Sequence, residues 1–153
     1  MYNLIREGVA NQHEQVFLDE DDFVLCTNVH HGLDDRYLVV FKDENLKTIR
    51  DLQQKHVPML TRMKETVKNF LQEKHPVIFD RYRFFFHYMP SVFQLHAHVS
   101  TKSMSFNINR RQPLDTVVRN LMQDTEYYQK AIILTSVTKN MRTLNVYKIL
   151  SIF

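Results

Sequence analysis

Glycine, cysteine and tryptophan are nearly missing from this chain: of 153 residues, two are Gly, one is Cys and none is Trp. Gly8 and Gly32 are too few and too far apart for a phosphate-cradling loop or a dinucleotide-binding turn, which need several glycines close together. A single cysteine, Cys26, excludes an internal disulfide and any zinc site built from several cysteines. The lack of disulfides fits a reducing compartment. No apolar run approaches the roughly 18 residues of a membrane span, and the opening MYNLIREGVANQHEQ is too polar for a signal peptide. The cytoplasm, or else the nucleus, is the expected location, with no membrane partner. Charge of one sign is also scarce: 20 basic and 17 acidic residues leave +3. That is too mild to demand a long nucleic acid as partner, though a local anion site is allowed. What is plentiful is histidine, at eight residues, beside 11 Phe and 7 Tyr. With 44% hydrophobic and 24% charged residues, one globular domain over 1–153 is expected, its core at about 15–138 and an apolar tail at 139–153.

The β-forming runs QVFL (15–18) and DFVLCTNV (22–29) flank the acidic turn Asp19-Glu20-Asp21 and predict a hairpin. RYLVVF (36–41) is a third strand, and its unbroken apolar run predicts burial on both faces. Asn45 is a plausible helix cap. Apolar residues at Leu46, Ile49, Leu52, Val57, Leu60, Met63, Val67, Phe70 and Leu71 then follow helical spacing to Lys74, with Pro58 kinking the helix or starting a new segment. RYRFFFHY (81–88) and FQLHAHVST (93–101) are strands joined by a short loop through Pro90. Residues 102–112 are read as a loop, Pro113 as the opening of a helix to about Met122, and AIILTSV (131–137) as a strand. The sum is an α+β domain: an antiparallel sheet of about five strands with one long and one shorter helix.

The 93–101 strand alternates. Phe93, Leu95, Ala97 and Val99 share one face; Gln94, His96, His98 and Ser100 share the other, with neighbouring side chains roughly 7 Å apart. Across the hairpin, Arg83, Phe85 and His87 share the histidine face by parity, and Ser91 sits in the turn at its end. Such a set suits an anion undergoing substitution. A neutral imidazole is a good nucleophile near neutral pH, a second imidazole can bond phosphate oxygens, and an amide and a hydroxyl add donors. A solvated histidine pair is the plain alternative. A metal is not expected, since an H-x-H pair needs further ligands and only His87, His30 or His31 are at hand. Cys26 is expected in the core, and His56 and His75 on the surface. Phe85 either walls a base pocket or packs under the helix. Lys102, Arg110 and Arg111 read as a solvated loop or a path for single-stranded RNA.

Gln94-Leu95-His96-Ala97-His98-Val99-Ser100 resembles the histidine-triad signature His-φ-His-φ-His-φ-φ, φ being apolar, with Gln94 at the first histidine and Ser100 at the last apolar position. The run Phe86-His87-Tyr88-Met89-Pro90-Ser91 before it is similar to the His-Tyr-x-Pro-Ser segment of the scavenger mRNA decapping enzyme family. Leu33-Asp34-Asp35-Arg36-Tyr37-Leu38, Ile49-Arg50-Asp51-Leu52 and Tyr127-Tyr128-Gln129 resemble further stretches of that family in the same order.

The resemblance implies a histidine-triad fold and a nucleotide pyrophosphatase that cleaves a 5′–5′ triphosphate-bridged cap dinucleotide or short capped RNA. His96 would attack the phosphate and form a phosphohistidyl nucleotide. His98 would contact phosphate and orient the nucleophile, and Gln94 would occupy the first, less direct, catalytic position. His87 and Ser91 would hold the phosphate chain; Asn28, Val29 and His30 would border the nucleoside. A homodimer is implied and no cofactor. The family's N-terminal domain, which supplies a tryptophan to the methylated base, is expected to be absent, so Phe or Tyr would have to face the base. A hydrolase of dinucleoside polyphosphates or adenylylated substrates, and a nucleotide- or cap-binding module without turnover, are the alternatives.

Overall fold

The structure, a computed structural model, describes residues 15–27, 36–101 and 110–135. Strands β1 (Val16–Asp19), β2 (Phe23–Thr27), β3 (Arg36–Phe41), β4 (Arg83–His87), β5 (His96–Ser100) and β6 (Arg111–Pro113) form one sheet in the order β1-β2-β3-β5-β4-β6. Every neighbouring pair is antiparallel. Helix α1 (Val57–Lys74) covers one face, followed by α2 (Leu114–Gln123) and a single turn, α3 (Tyr127–Lys130).

Alternation along the strands explains the two faces. Phe23 and Leu25, Tyr37, Val39 and Phe41, Phe84 and Phe86, and Ala97 and Val99 form the main core with Leu60, Met63, Val67 and Leu71 of α1. The last four recur at helical spacing, so one stripe of α1 lies on the sheet. Cys26, Leu38 and Val40 pack as a separate cluster on the opposite face. β3 is therefore buried on both faces, as its apolar run predicts, and Cys26 is buried as expected.

Between β3 and α1 the chain departs from one continuous helix. Asn45 caps nothing; its backbone N–H and side-chain amide both bond Asp43 Oδ1 at 2.9 Å. The cap is Thr48, whose Oγ1 accepts from the Arg50 N–H at 3.0 Å while Asp51 Oδ2 accepts from the Thr48 N–H at 2.8 Å. This reciprocal box closes a 3-10 turn at Ile49–Asp51, and a second covers Gln54–His56. Pro58 sits in the first turn of α1 and opens the helix, where its missing N–H costs nothing.

Three expectations are corrected. Arg111–Pro113, read as the end of a loop and the opening of a helix, is the short edge strand beside β4, with His87 opposite Arg111. Its brevity, its arginine and its proline suit a sheet edge that resists further pairing. Ala131–Thr135, read as strand, is irregular. Ile133 packs on the core while Ile132 and Leu134 are exposed, and β6 already occupies the place beside β4. His56 and His75, read as surface, are half-buried and bonded: Nδ1 of His56 accepts from the Gln53 N–H at 2.9 Å, and Nε2 of His75 lies 2.6 Å from the Tyr37 hydroxyl. The tail 139–153 lies outside the described residues.

Truncating Phe86, 1% exposed and stacked on Phe41, should cost about 3–5 kcal/mol. Leu134→Ala, at a side chain that is 79% exposed, should change stability by less than about 0.5 kcal/mol. Urea denaturation followed by circular dichroism checks both, and comparable losses would contradict this packing.

Candidate active site

The face of the sheet away from α1 carries the histidines. Val40 is opposite His96 and Leu38 opposite His98 on one side of β5; Phe85 is opposite His98 on the other. The rings of His96 and His98 lie 5.3 Å apart edge to face, and those of His87 and His98 are 4.2 Å apart. The three imidazoles thus share one site, with His98 as the shared neighbour. Phe85 takes the histidine face as its parity requires and stacks on His98 at 5.4 Å and 10°. The buried Cys26–Leu38–Val40 cluster adjoins them as an apolar floor.

His96 is the most enclosed of the three imidazoles, at 6% exposure. Its Nδ1 lies 2.7 Å from the backbone carbonyl oxygen of Gln94. A carbonyl can only accept, so Nδ1 carries the proton and the neutral ring keeps its lone pair on Nε2. Burial lowers the His96 pKa below the usual 6.5, outweighing the carbonyl bond, which raises it. Both effects suit a nucleophile: the ring is neutral at physiological pH, and one nitrogen is selected.

The Gln94 side chain does not join the imidazoles. It is buried, and its Nε2 donates to the carbonyls of Phe41 at 2.7 Å and Asp43 at 3.0 Å. Regular alternation starts only at His96, because the chain before it is bent. Ser91 is exposed in the loop between β4 and β5. That loop is anchored at its start. The Tyr88 N–H donates to the Arg110 carbonyl at 2.8 Å, Arg110 Nη2 donates to the Met89 carbonyl at 3.0 Å, and Arg50 Nε donates to the Tyr88 hydroxyl at 3.0 Å. Arg50 Nη1 also reaches the carbonyls of Tyr128 and Ala131, each at 2.7 Å, tying the loop to the end of α3. Asn28, Val29 and His30 lie outside the described residues.

Arg111, read as part of a solvated loop or a path for single-stranded RNA, stands instead on the histidine face. Its guanidinium lies 4.7 Å from the Phe85 ring centroid, and Arg111 faces His87 in the register. Arg111 and His98 approach Phe85 from the two strands that flank β4. A cation is thereby added to the histidine face. The usable signal was the position of Arg111 just ahead of a proline that opens a helix, where a short edge strand fits. Among the described residues, no group of three His, Cys, Asp or Glu side chains is arranged to hold a metal ion, and no helix is long and apolar enough to cross a membrane.

His56 shares the lowered pKa, through burial first and then the charge of Lys55. For both histidines the unfolded chain binds the proton more readily. Their contribution to stability is complete above about pH 6.5 and is lost as pH falls through the folded values. Urea midpoints should therefore decline between pH 7.5 and 5, and the His96 ring should titrate below 6.5 by NMR. A flat midpoint and an ordinary His96 titration would contradict its enclosure.

Residues 2–112 match the family described as scavenger mRNA decapping enzyme C-term binding. The m7GpppX diphosphatase of Sus scrofa is 32% identical over 117 residues, 72% of this chain and 35% of that protein. The one from Caenorhabditis elegans is 29% identical over 150 residues, 92% of this chain and 48% of that protein. The chain thus spans about a third to a half of the length of these relatives. In three dimensions it resembles a HIT family hydrolase from Legionella pneumophila, with a TM-score of 0.55 at 14% identity over 68% of this chain and 93% of that one. It also resembles the aprataxin ortholog Hnt3 from Schizosaccharomyces pombe, with a TM-score of 0.57 at 14% identity over 97% and 89%. These two likenesses establish a histidine-triad fold; the sequence match, over well more than half of the chain, places it in the scavenger mRNA decapping enzyme C-terminal family.

Proposed function

We propose that this domain hydrolyses a 5′–5′ triphosphate-bridged cap dinucleotide or a short capped RNA through a phosphohistidine intermediate. The observation that carries the reading is the bond from His96 Nδ1 to the Gln94 carbonyl, which leaves a lone pair on Nε2 of a neutral ring. The printed name of the relatives, m7GpppX diphosphatase, supports the choice of substrate.

In the first step Nε2 of His96 attacks a bridge phosphorus. A P–N bond forms, the P–O bond to the next phosphate breaks, and its electron pair leaves with the diphosphate product. Such a leaving group is stable as an anion, so it does not depend on a strong acid. His98 and His87 donate to the phosphate oxygens as charge develops, with Ser91 at the end of the loop adding a hydroxyl. In the second step water attacks the phosphorus, the P–N bond breaks, and a nucleoside monophosphate departs. Asn28, Val29 and His30 border the nucleoside in this reading. The domain works as a homodimer in the cytoplasm or nucleus.

The purified chain, incubated with capped dinucleotide in a chelator, should release a nucleoside monophosphate. His96→Asn should lower turnover by about 10³-fold or more, as loss of a nucleophile does, and remove the acid-labile adduct seen after a denaturing quench. Cleavage by His96→Asn at the wild-type rate would sink the mechanism. Preference for diadenosine polyphosphate would keep the mechanism and reassign the substrate. Tight binding without turnover or adduct would make the domain a binding module.

A further inference from the structure

The geometry points to Gln94 as a positioning residue: its side-chain amide fixes the backbone carbonyl that selects the reactive nitrogen of His96. The inference rests on the proposed role of His96 as nucleophile and explains how a chain with Gln94 at the first triad position can keep that role.

The segment Gln94–Leu95 is held to residues 41–46 by four hydrogen bonds. Gln94 Nε2 donates to the Phe41 and Asp43 carbonyls at 2.7 and 3.0 Å, the Phe41 N–H donates to the Leu95 carbonyl at 3.0 Å, and the Leu95 N–H donates to the Leu46 carbonyl at 2.8 Å. The Gln94 carbonyl takes no part in these bonds and receives His96 Nδ1 at 2.7 Å. Side chain and backbone of one residue thus do separate work. The amide locks the bend onto the end of β3, and the carbonyl presents itself to the ring two residues on.

An amide suits this place better than the imidazole of the family signature. One amide nitrogen carries two N–H groups, and here a carbonyl lies in range of each. A neutral imidazole carries a single N–H, so a histidine would serve one carbonyl and leave the other short. Gln94 is only 3% exposed, so water cannot replace a lost bond easily. The amide also has no titration of its own, so the setting of His96 is independent of a second ring's charge. Two elements meet at this clamp, the end of β3 with its following turn and the bend before β5, and the carbonyl held there receives Nδ1, which leaves Nε2 to face the site.

The test uses Gln94→Met, which keeps the length and removes the donors, and Gln94→His, which keeps one donor. Long-range ¹H–¹⁵N NMR of the ligand-free protein reads the His96 tautomer. In wild type, Nδ1 should carry the proton. In Gln94→Met the two tautomers should mix, and kcat on capped dinucleotide should fall by about ten- to a hundredfold with KM within about threefold, as misplacement of a reacting group does. Gln94→His should recover part of both. An unchanged tautomer and kcat in Gln94→Met would overturn the proposal. So would a raised KM with kcat kept, because Gln94 would then touch substrate. If Gln94→Met fails to fold by circular dichroism, Gln94→His decides: wild-type tautomer purity and kcat would overturn the clamp, and a partial shift would support it. If wild type cleaves nothing, the proposed reaction fails while the NMR readout still judges the clamp.

Discussion

His96 donates from Nδ1 to the Gln94 carbonyl over 2.7 Å, and that bond decides which nitrogen of a symmetric-looking ring keeps its lone pair. Imidazole has two nitrogens that interconvert by moving one proton, so a site that needs a lone pair in a fixed place must occupy the other nitrogen. Much of the domain serves that end. β3 supplies the neighbour of β5, with Val40 opposite His96. The turn after β3 supplies carbonyls that hold the bend before β5. The 3-10 turn at Ile49–Asp51 supplies Arg50, which ties down the other end of the same loop at Tyr88.

The sheet separates stability from chemistry by parity. On one face, Phe84, Phe86, Ala97 and Val99 join the core under α1, and each large side chain so buried contributes about 1.5–3 kcal/mol. On the other face, the intervening residues Phe85, His87, His96 and His98 form the site. A slip of β4 against β5 by one residue would turn Phe85 and His87 into the core and Phe84 and Phe86 into the site. The core therefore enforces the register on which the imidazole spacing depends. Exchanging a core phenylalanine for a smaller residue would act on the site by loosening that register, without touching it.

Much of this was readable from residue order. The apolar run of β3, the helical spacing of Leu60, Met63, Val67 and Leu71, and the alternation of His96 and His98 all rest on local periodicity, which a sequence displays directly. What was not readable depends on distant partners. β6 is three residues long and exists because β4 presents an open edge to it. Ala131–Thr135 has strand-like composition, but the place beside β4 is taken by β6. Gln94 has the parity of the histidine face, yet the bend before His96 ends the alternation and turns its amide to the carbonyls at the end of β3. Periodicity carries information only as far as the strand itself extends.

The poverty in glycine follows from the same design. A glycine-rich loop holds phosphate with backbone N–H groups, which never change charge. Here the phosphate would meet side chains on a hairpin, so no close backbone approach is needed. In the proposed reaction three chemically identical imidazoles take different tasks, and their surroundings differ accordingly. His96, 6% exposed, is held neutral by burial and committed through one nitrogen. His87 and His98 are half-buried and lie ring against ring beside it. Phe85 stacks on His98 nearly parallel, and Arg111 lies over the Phe85 ring. The division of labour proposed for His87, His96 and His98 thus follows burial and the groups at their back, while the residue type stays the same.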